Sequence, residues 1–291
     1  MTWIFLTLFA TFMQAWRNAF QSQLSENLRT SAVTLARFIW AGPLAALYLY
    51  LLYYFLPTAI PIFPPKYWLY LCGAAVMQIT ATSLMVILFK MKNYAIGAGL
   101  AKSEAVVAAV LGVVFFGTSL SLTGWLGILL GAIAVFYLSM AGGIKSVSWP
   151  IVAIGLACGS SFAIGSLWIR EACLSLHIGF PYSAAWVLLM LVCMQTLILL
   201  GYLLLRDKQT LKFLWQQPKL TVLTSVSSCM GAIAWISAMS IQNVPYVKTL
   251  GQIELFFTML ISVYWLKQKP KITDILGLVL IAVAAVLVIL A

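Results

Sequence analysis

The sequence predicts an all-α integral membrane protein with ten transmembrane helices arranged as two inverted five-helix repeats. Three observations predict it. The chain is 64% hydrophobic and only 8% charged, with a mean hydropathy of +1.05, whereas a soluble domain carries about 25% charged residues. Its apolar stretches are long enough to span a bilayer as helices, which takes roughly 20 residues each. Finally, a shift of 150 residues lays Asn93 on Asn243, Leu100 on Leu250, Glu104 on Glu254, Thr123 on Thr273 and Gly127 on Gly277 without a gap.

Cutting at charge clusters and at Pro or Gly groups gives ten stretches, at 2–22, 31–56, 67–90, 94–117, 121–141, 149–170, 182–205, 218–242, 244–266 and 272–291. Helices satisfy their own backbone groups, as a chain in lipid must. Barrel strands would alternate polar and apolar residues, and 100–116 and 275–290 are apolar on nearly every side. The first stretch starts directly at Thr2 with no basic lead-in or small-residue cleavage site, so it reads as a retained span. The breaks at 57–66, 171–181 and 206–218 are the longest, and no stretch remains for a soluble domain.

Five spans in 1–145 and five in 146–291 make each half odd in number. The second half therefore enters the membrane in the opposite sense, an arrangement that gives near-equivalent packings open to either side. Duplication kept only for packing is the alternative. Small residues four apart, at Gly97 and Ala101, Gly127 and Gly131, and Gly155 and Gly159, permit close helix contact.

The net charge of +11 would point to nucleic acid in a soluble protein, but here the basic residues sit in short connections. Arg29, Lys90, Lys92, Lys145, Arg206, Lys208, Lys212, Lys219, Lys267, Lys269 and Lys271 lie in or beside odd-numbered connections, whereas the even ones hold little beyond Lys66 and Arg170. By the positive-inside rule the odd connections are cytoplasmic and both termini lie outside. Cys72, Cys158, Cys173, Cys193 and Cys229 are scattered singly, which suggests neither a zinc site nor a disulfide framework. They read as small apolar packers.

Ionisable groups at bilayer depth normally face a cavity or a partner. Glu104 lies near the middle of the fourth span and Glu254 at the matching depth of the ninth. Either could bind an amine or a coupling proton, or could be held in an ion pair, for example with Arg37 or Lys102. The first span carries a polar stripe of Thr7, Thr11, Gln14, Asn18 and Gln21, with Arg17 and Trp16 beside it. That stripe predicts a ligand cavity, with interhelical hydrogen bonding as the alternative. Arg17, Arg37 and Lys102 are candidates for an anionic group, since Arg offers a planar donor fork. Further candidates are Gln78 with Thr82, Ser225 with Ser228, Lys248 with Gln252, and Trp235 on the eighth span; Trp16, Trp168 and Trp186 fit interfacial belts equally well. His177 lies in a loop with no acid placed beside it, and no phosphate-binding Gly-rich loop is present, so neither an enzyme nor a nucleotide-driven pump is predicted. No cofactor or metal is expected.

Lys102-Ser103-Glu104-Ala105, Phe116-Gly117, Thr123-Gly124-Trp125-Leu126-Gly127, Ala36-Arg37 and, in the second copy, Glu254, Leu266 and 273–277 give the chain a resemblance. It resembles the EamA-type transporters of the drug/metabolite transporter superfamily over essentially its whole length. The resemblance implies a ten-helix carrier with a central cavity, exporting metabolites, amino acids or toxic amines from bacteria, and so an inner-membrane location. It also implies a glutamate at the end of the fourth and ninth spans, where this chain has Thr118 and Gln268. Cytoplasmic termini are implied as well, against the loop charges.

The expected function is secondary transport of a small polar metabolite by alternating access. Arg17, Arg37, Lys102 and Lys248 outnumber Glu104 and Glu254 by two, which favours an amino acid, related zwitterion or organic anion, and export, as the resemblance implies, is the expected direction. An organic-cation exporter and a flippase for a lipid-linked substrate are the alternatives, the latter requiring a lateral opening between helices. The expected partners are the solute, the bilayer and a coupling proton, with no nucleic acid.

Overall fold

A computed structural model describes residues 1–91, 99–140, 149–264 and 272–291. Lys92, Asn93, Gly97, Lys145, Leu266, Lys267, Gln268, Lys269 and Lys271, named above, lie outside the described residues. Every described element is helical: α1 (Thr2–Asn27), α2 (Thr30–Ala36), α3 (Ala41–Phe55), α4 (Pro65–Phe89), α5 (Glu104–Phe116), α6 (Leu122–Met140), α7 (Trp149–Ser175), α8 (Tyr182–Arg206), α9 (Lys208–Gln216), α10 (Pro218–Ile241), α11 (Val244–Leu250), α12 (Glu254–Tyr264) and α13 (Ile272–Ile289).

Prolines mark several starts. Pro65 and Pro218 open α4 and α10, and Pro245 lies in the first turn of α11, where a missing N–H costs no intrahelical bond. Gly117 ends α5 in the left-handed region at φ 61°, a conformation open to glycine, and the Thr118 amide folds back to donate to Gly112 O at 3.0 Å. Thr118 therefore belongs to a helix cap.

Among the described residues, six helical segments are long and apolar enough to cross a membrane: Thr30–Phe55, Pro65–Phe89, Gly99–Phe116, Trp149–Ser175, Tyr182–Arg206 and Pro218–Ile241. Two more, Leu122–Leu138 and Ile275–Ile289, are apolar but shorter. Helix α1 has the length, at 26 residues, but carries the polar stripe. The surface agrees with a lipid environment. Phe5, Val114, Leu197 and Leu205 are each at least two-thirds exposed, an arrangement water would oppose and hydrocarbon accepts. Inside, alanines such as Ala10, Ala74, Ala108, Ala163 and Ala238 are buried and let the backbones approach. The chain is a multi-pass integral membrane protein.

Helix α4 packs along α7, α1 along α10, α6 against α13 and α3 against α8. The connections sort to two ends. At one end Arg29, between α1 and α2, pairs with Asp207 after α8 at 2.6 Å, and Lys90 after α4 donates to Leu28 O at 2.7 Å. At the other, Tyr182 donates to Leu56 O, Asn243 to Ser119 O at 3.4 Å, and Arg170 to Met239 O and Gln242 O at 2.6 and 2.5 Å. Arg170, counted with a connection in the sequence, is thus a part of α7 that caps the carbonyl end of α10.

The stretch 206–218, expected as a long break, contains the nine-residue helix α9. Asp207 caps it by accepting from the Thr210 amide at 3.2 Å and the Thr210 hydroxyl at 2.6 Å. Leu214 is buried on one side while Trp215 is exposed beside Trp40, as expected of a helix lying in the interface.

Candidate functional site

Two of the membrane-crossing segments, and the α11–α12 pair, are interrupted, and a charged side chain lies in or beside each interruption. Helices α2 and α3 are parted by a turn at 37–40; Gly99–Ala101 is parted from α5 by a turn at 102–103; and α11 is parted from α12 by a 3-10 turn, Gly251–Ile253. A broken helix frees backbone groups that lipid cannot satisfy. At the first break Ser225 on α10 donates to Ala36 O at 2.6 Å and accepts from the Trp40 amide at 3.1 Å, while Thr196 on α8 donates to Phe38 O at 3.1 Å. Ser225, a candidate for binding in the sequence, instead satisfies the backbone here.

Glu104 and Glu254 are each the first residue of the helix that follows a break. A carboxylate there faces the positive end of the helix dipole. Both are buried, and each meets a lysine from the other half of the chain. Lys102 pairs with Glu254, and Lys248 lies 3.2 Å from Glu104 Oε2, close enough to pair charges but off the line of a hydrogen bond. Glu254 also accepts from Gln14 Nε2 at 2.5 Å and Asn18 Nδ2 at 2.6 Å. Gln14 in turn accepts from Trp235 Nε1 at 3.0 Å, and the Lys248 ammonium stands 4.6 Å from the centre of the Trp235 ring. One network thereby joins α1, α10 and the two later breaks.

Beside this network lies a cavity of about 70 Å³, lined by Gln14, Arg17, Asn18, Arg37, Gln78, Lys102, Glu104, Trp235 and Lys248 among others. Nine of the residues singled out in the sequence therefore meet around one space. Glu254 stands behind them, bonded to Gln14 and Asn18. Gln252 does not line the cavity: it is buried against Gly131 of α6, with neither amide atom hydrogen-bonded among the described residues. Arg17 directs Nε and Nη2 to Asn18 Oδ1 at 3.2 and 2.8 Å, and Arg37 directs Nε to Ser228 at 3.1 Å and Nη1 to Thr82 at 2.5 Å. Thr82 and Ser228 thus hold Arg37 in place.

Two cavity residues escape sequence reasoning. Ser166 on α7 is fully buried with its hydroxyl unpartnered among the described residues, and Gln195 on α8 is buried and lines the same cavity. Each is one polar residue inside a long apolar run, which carries no periodic signal; a search for isolated uncharged polar residues at mid-span would have found both. Cys158, Cys173 and Cys229 are buried and all five cysteines are free.

Residues 149–290 match the EamA-like transporter family. Over those residues the chain is similar to this family, which is part of the drug/metabolite transporter superfamily. Its members are membrane transporters and not enzymes. No curated protein matches the chain in sequence. A crystal structure of another protein superposes with a TM-score of 0.68 over 97% of this chain and 98% of its own, at 15% identity. At that identity the likeness concerns the fold alone. The EamA-like half contributes Trp235, Lys248, Gln252 and Glu254; Gln14, Arg17, Asn18, Arg37, Gln78, Lys102 and Glu104 come from the half that precedes it.

Proposed function

We propose that the protein is a secondary transporter that moves a small polar metabolite across the bilayer by alternating access, its ten spans forming inverted five-helix repeats over 1–145 and 146–291. The observation that carries this reading is the crossed pairing at the helix breaks. Glu104 and Glu254 correspond under the 150-residue shift, both open a half-helix, and each meets a lysine of the opposite half. Charges that bridge the halves favour one packing of half against half. A solute or proton that competes for those charges shifts the balance between packings, which is the energetic requirement of a carrier.

The helix contacts support the repeat. Helix α4, the third span of the first half, packs along α7, the first of the second; α10 and α1 repeat that relationship with the halves exchanged. The end where Arg29, Lys90, Arg206, Lys208 and Lys212 gather faces the cytoplasm in this reading, by the positive-inside rule. The membrane is the bacterial inner membrane, the direction is export, and a proton taken by Glu104 or Glu254 is the candidate coupling ion. An amino acid, a related zwitterion or an organic anion fits the excess of cationic side chains at the cavity.

One observation favours a second reading, a flippase. An open groove of about 550 Å³ between α2, α4 and α8 is lined by Ile79, Ile198, Leu199 and Tyr202, with Arg29 and Ser31 beside them, and an acyl chain could lie there with its headgroup at Arg29. Competition by water-soluble solutes separates the readings, since a flippase would ignore them.

The direct test is solute uptake into sealed vesicles containing the purified protein or its Glu104→Gln and Glu254→Gln variants. Both variants are expected to lose most of the flux at a temperature below their unfolding midpoints, where they remain folded and monodisperse. Full flux in both would remove the carboxylates from the mechanism.

A further inference from the structure

We infer that the cavity holds an oxyanion between Arg17 and Arg37, so that the solute is a net-negative organic acid of the dicarboxylate type and not a zwitterion or a cation. The inference rests on the transport reading and narrows its substrate.

The pairing of charges around the cavity leads to it. Of the four cationic side chains there, Lys102 is matched by Glu254 and Lys248 by Glu104. Arg17 and Arg37 have no carboxylate within ion-pair distance among the described residues. Each directs two donors to neutral oxygens, those of Asn18 for Arg17 and of Ser228 and Thr82 for Arg37. A guanidinium has five N–H donors, and the others find no acceptor among the described residues. Buried charges are normally paired. Two unmatched guanidinium groups lining one small cavity form a site whose missing component is negative, and their planar forks suit a carboxylate.

The same residues argue against an ammonium on the solute. Glu254 already accepts from Lys102, Gln14 and Asn18. Neither Glu104 oxygen accepts a hydrogen bond among the described residues, but the Lys248 ammonium stands 3.2 Å from Oε2 and would repel a second cation. What remains in the wall is neutral: the unpartnered Ser166 hydroxyl and the Gln78 and Gln195 amides can donate to the far end of a second carboxylate.

The experiment uses succinate, alanine and choline as an anion, a zwitterion and a cation of similar size. Protection of the purified full-length protein against thermal unfolding reports binding, and uptake into sealed vesicles reports transport. Succinate is expected to protect saturably, with alanine and choline inert at the same concentration. Arg37→Gln should weaken succinate by about tenfold or more, and Arg37→Lys, which keeps the charge, should recover part of it. If Arg37→Gln does not fold, Arg37→Lys with Arg17→Lys supplies the same comparison. Protection by alanine or choline with none by succinate overturns the anion site and leaves the transport reading intact. Succinate protection without uptake of any solute does the reverse. An unchanged succinate affinity in both arginine variants also overturns the site.

Discussion

The ammonium of Lys102, in the break before α5, pairs with the carboxylate of Glu254, which opens α12 in the other half of the chain. Both side chains are almost wholly buried. Removing one member of such a pair leaves an uncompensated charge, at a cost of about 3–5 kcal/mol, whereas removing both together costs far less. Glu254→Gln and Lys102→Met are each expected to lower the unfolding midpoint sharply, and the double variant to recover most of the loss. Chemical unfolding in detergent checks this. Additive losses would show that the two side chains do not interact.

Gly251 marks how closely the last break is packed. A Cβ placed there would lie 2.4 Å from Cη2 of Trp235, so Gly251→Ala must displace the indole that donates to Gln14 and lies under Lys248. Overpacking of this kind costs about 1–3 kcal/mol. Lower stability is expected, together with a shift in tryptophan emission that is absent when Trp235 has first been replaced by Phe.

Ser225 is expected to matter to the fold and little to the solute. Ser225→Ala strips the Ala36 carbonyl and the Trp40 amide of their shared partner, and each unsatisfied buried group costs about 1–3 kcal/mol. Faster hydrogen exchange at Trp40, with unaltered solute affinity in the protein that remains folded, checks the assignment.

Much of the candidate site is legible in the sequence, and the physical reasons divide cleanly. Glu104 and Glu254 show in the sequence because charge is rare at bilayer depth and the 150-residue shift aligns them; the stripe on α1 shows because one helix displays its own periodicity. Which lysine meets which glutamate does not show, since this depends on how α5 of one half lies against α11 of the other. The ion-pair partners suggested by the sequence, Arg37 or Lys102 for either glutamate, contained Lys102 but not Lys248. The break at 37–40 was hidden because its backbone is satisfied from α10 and α8, far away in the chain. Helix α9 looks like a connection in the sequence because nine residues mixing Lys, Gln and Leu make no membrane span, and only its cap at Asp207 and its buried Leu214 give it away.

Asp207 supplies a pH dependence. The Thr210 hydroxyl, with help from Arg29, holds its carboxyl below the ordinary value of 3.8. Because the folded value is the lower one, the stabilisation is complete above the ordinary value and is lost as pH falls through the folded one. Hydrogen exchange along α9 is expected to be flat from pH 7 to about 4, after correction for intrinsic rates, and to rise below that. Asp207→Asn should abolish the rise.

The central claim is that the space beside the helix breaks opens to each side of the membrane in turn. Ser166 reports on it most directly, being buried in the cavity wall and without a partner among the described residues. With the five native cysteines replaced, Ser166→Cys can be exposed in sealed, oriented vesicles to a charged thiol reagent that cannot cross lipid, applied from one side and then the other. Reaction from both sides, slowed by a bound solute, is the expected result. A cysteine that reacts from one side only, or from neither, with solute present or absent, would contradict alternating access through this cavity.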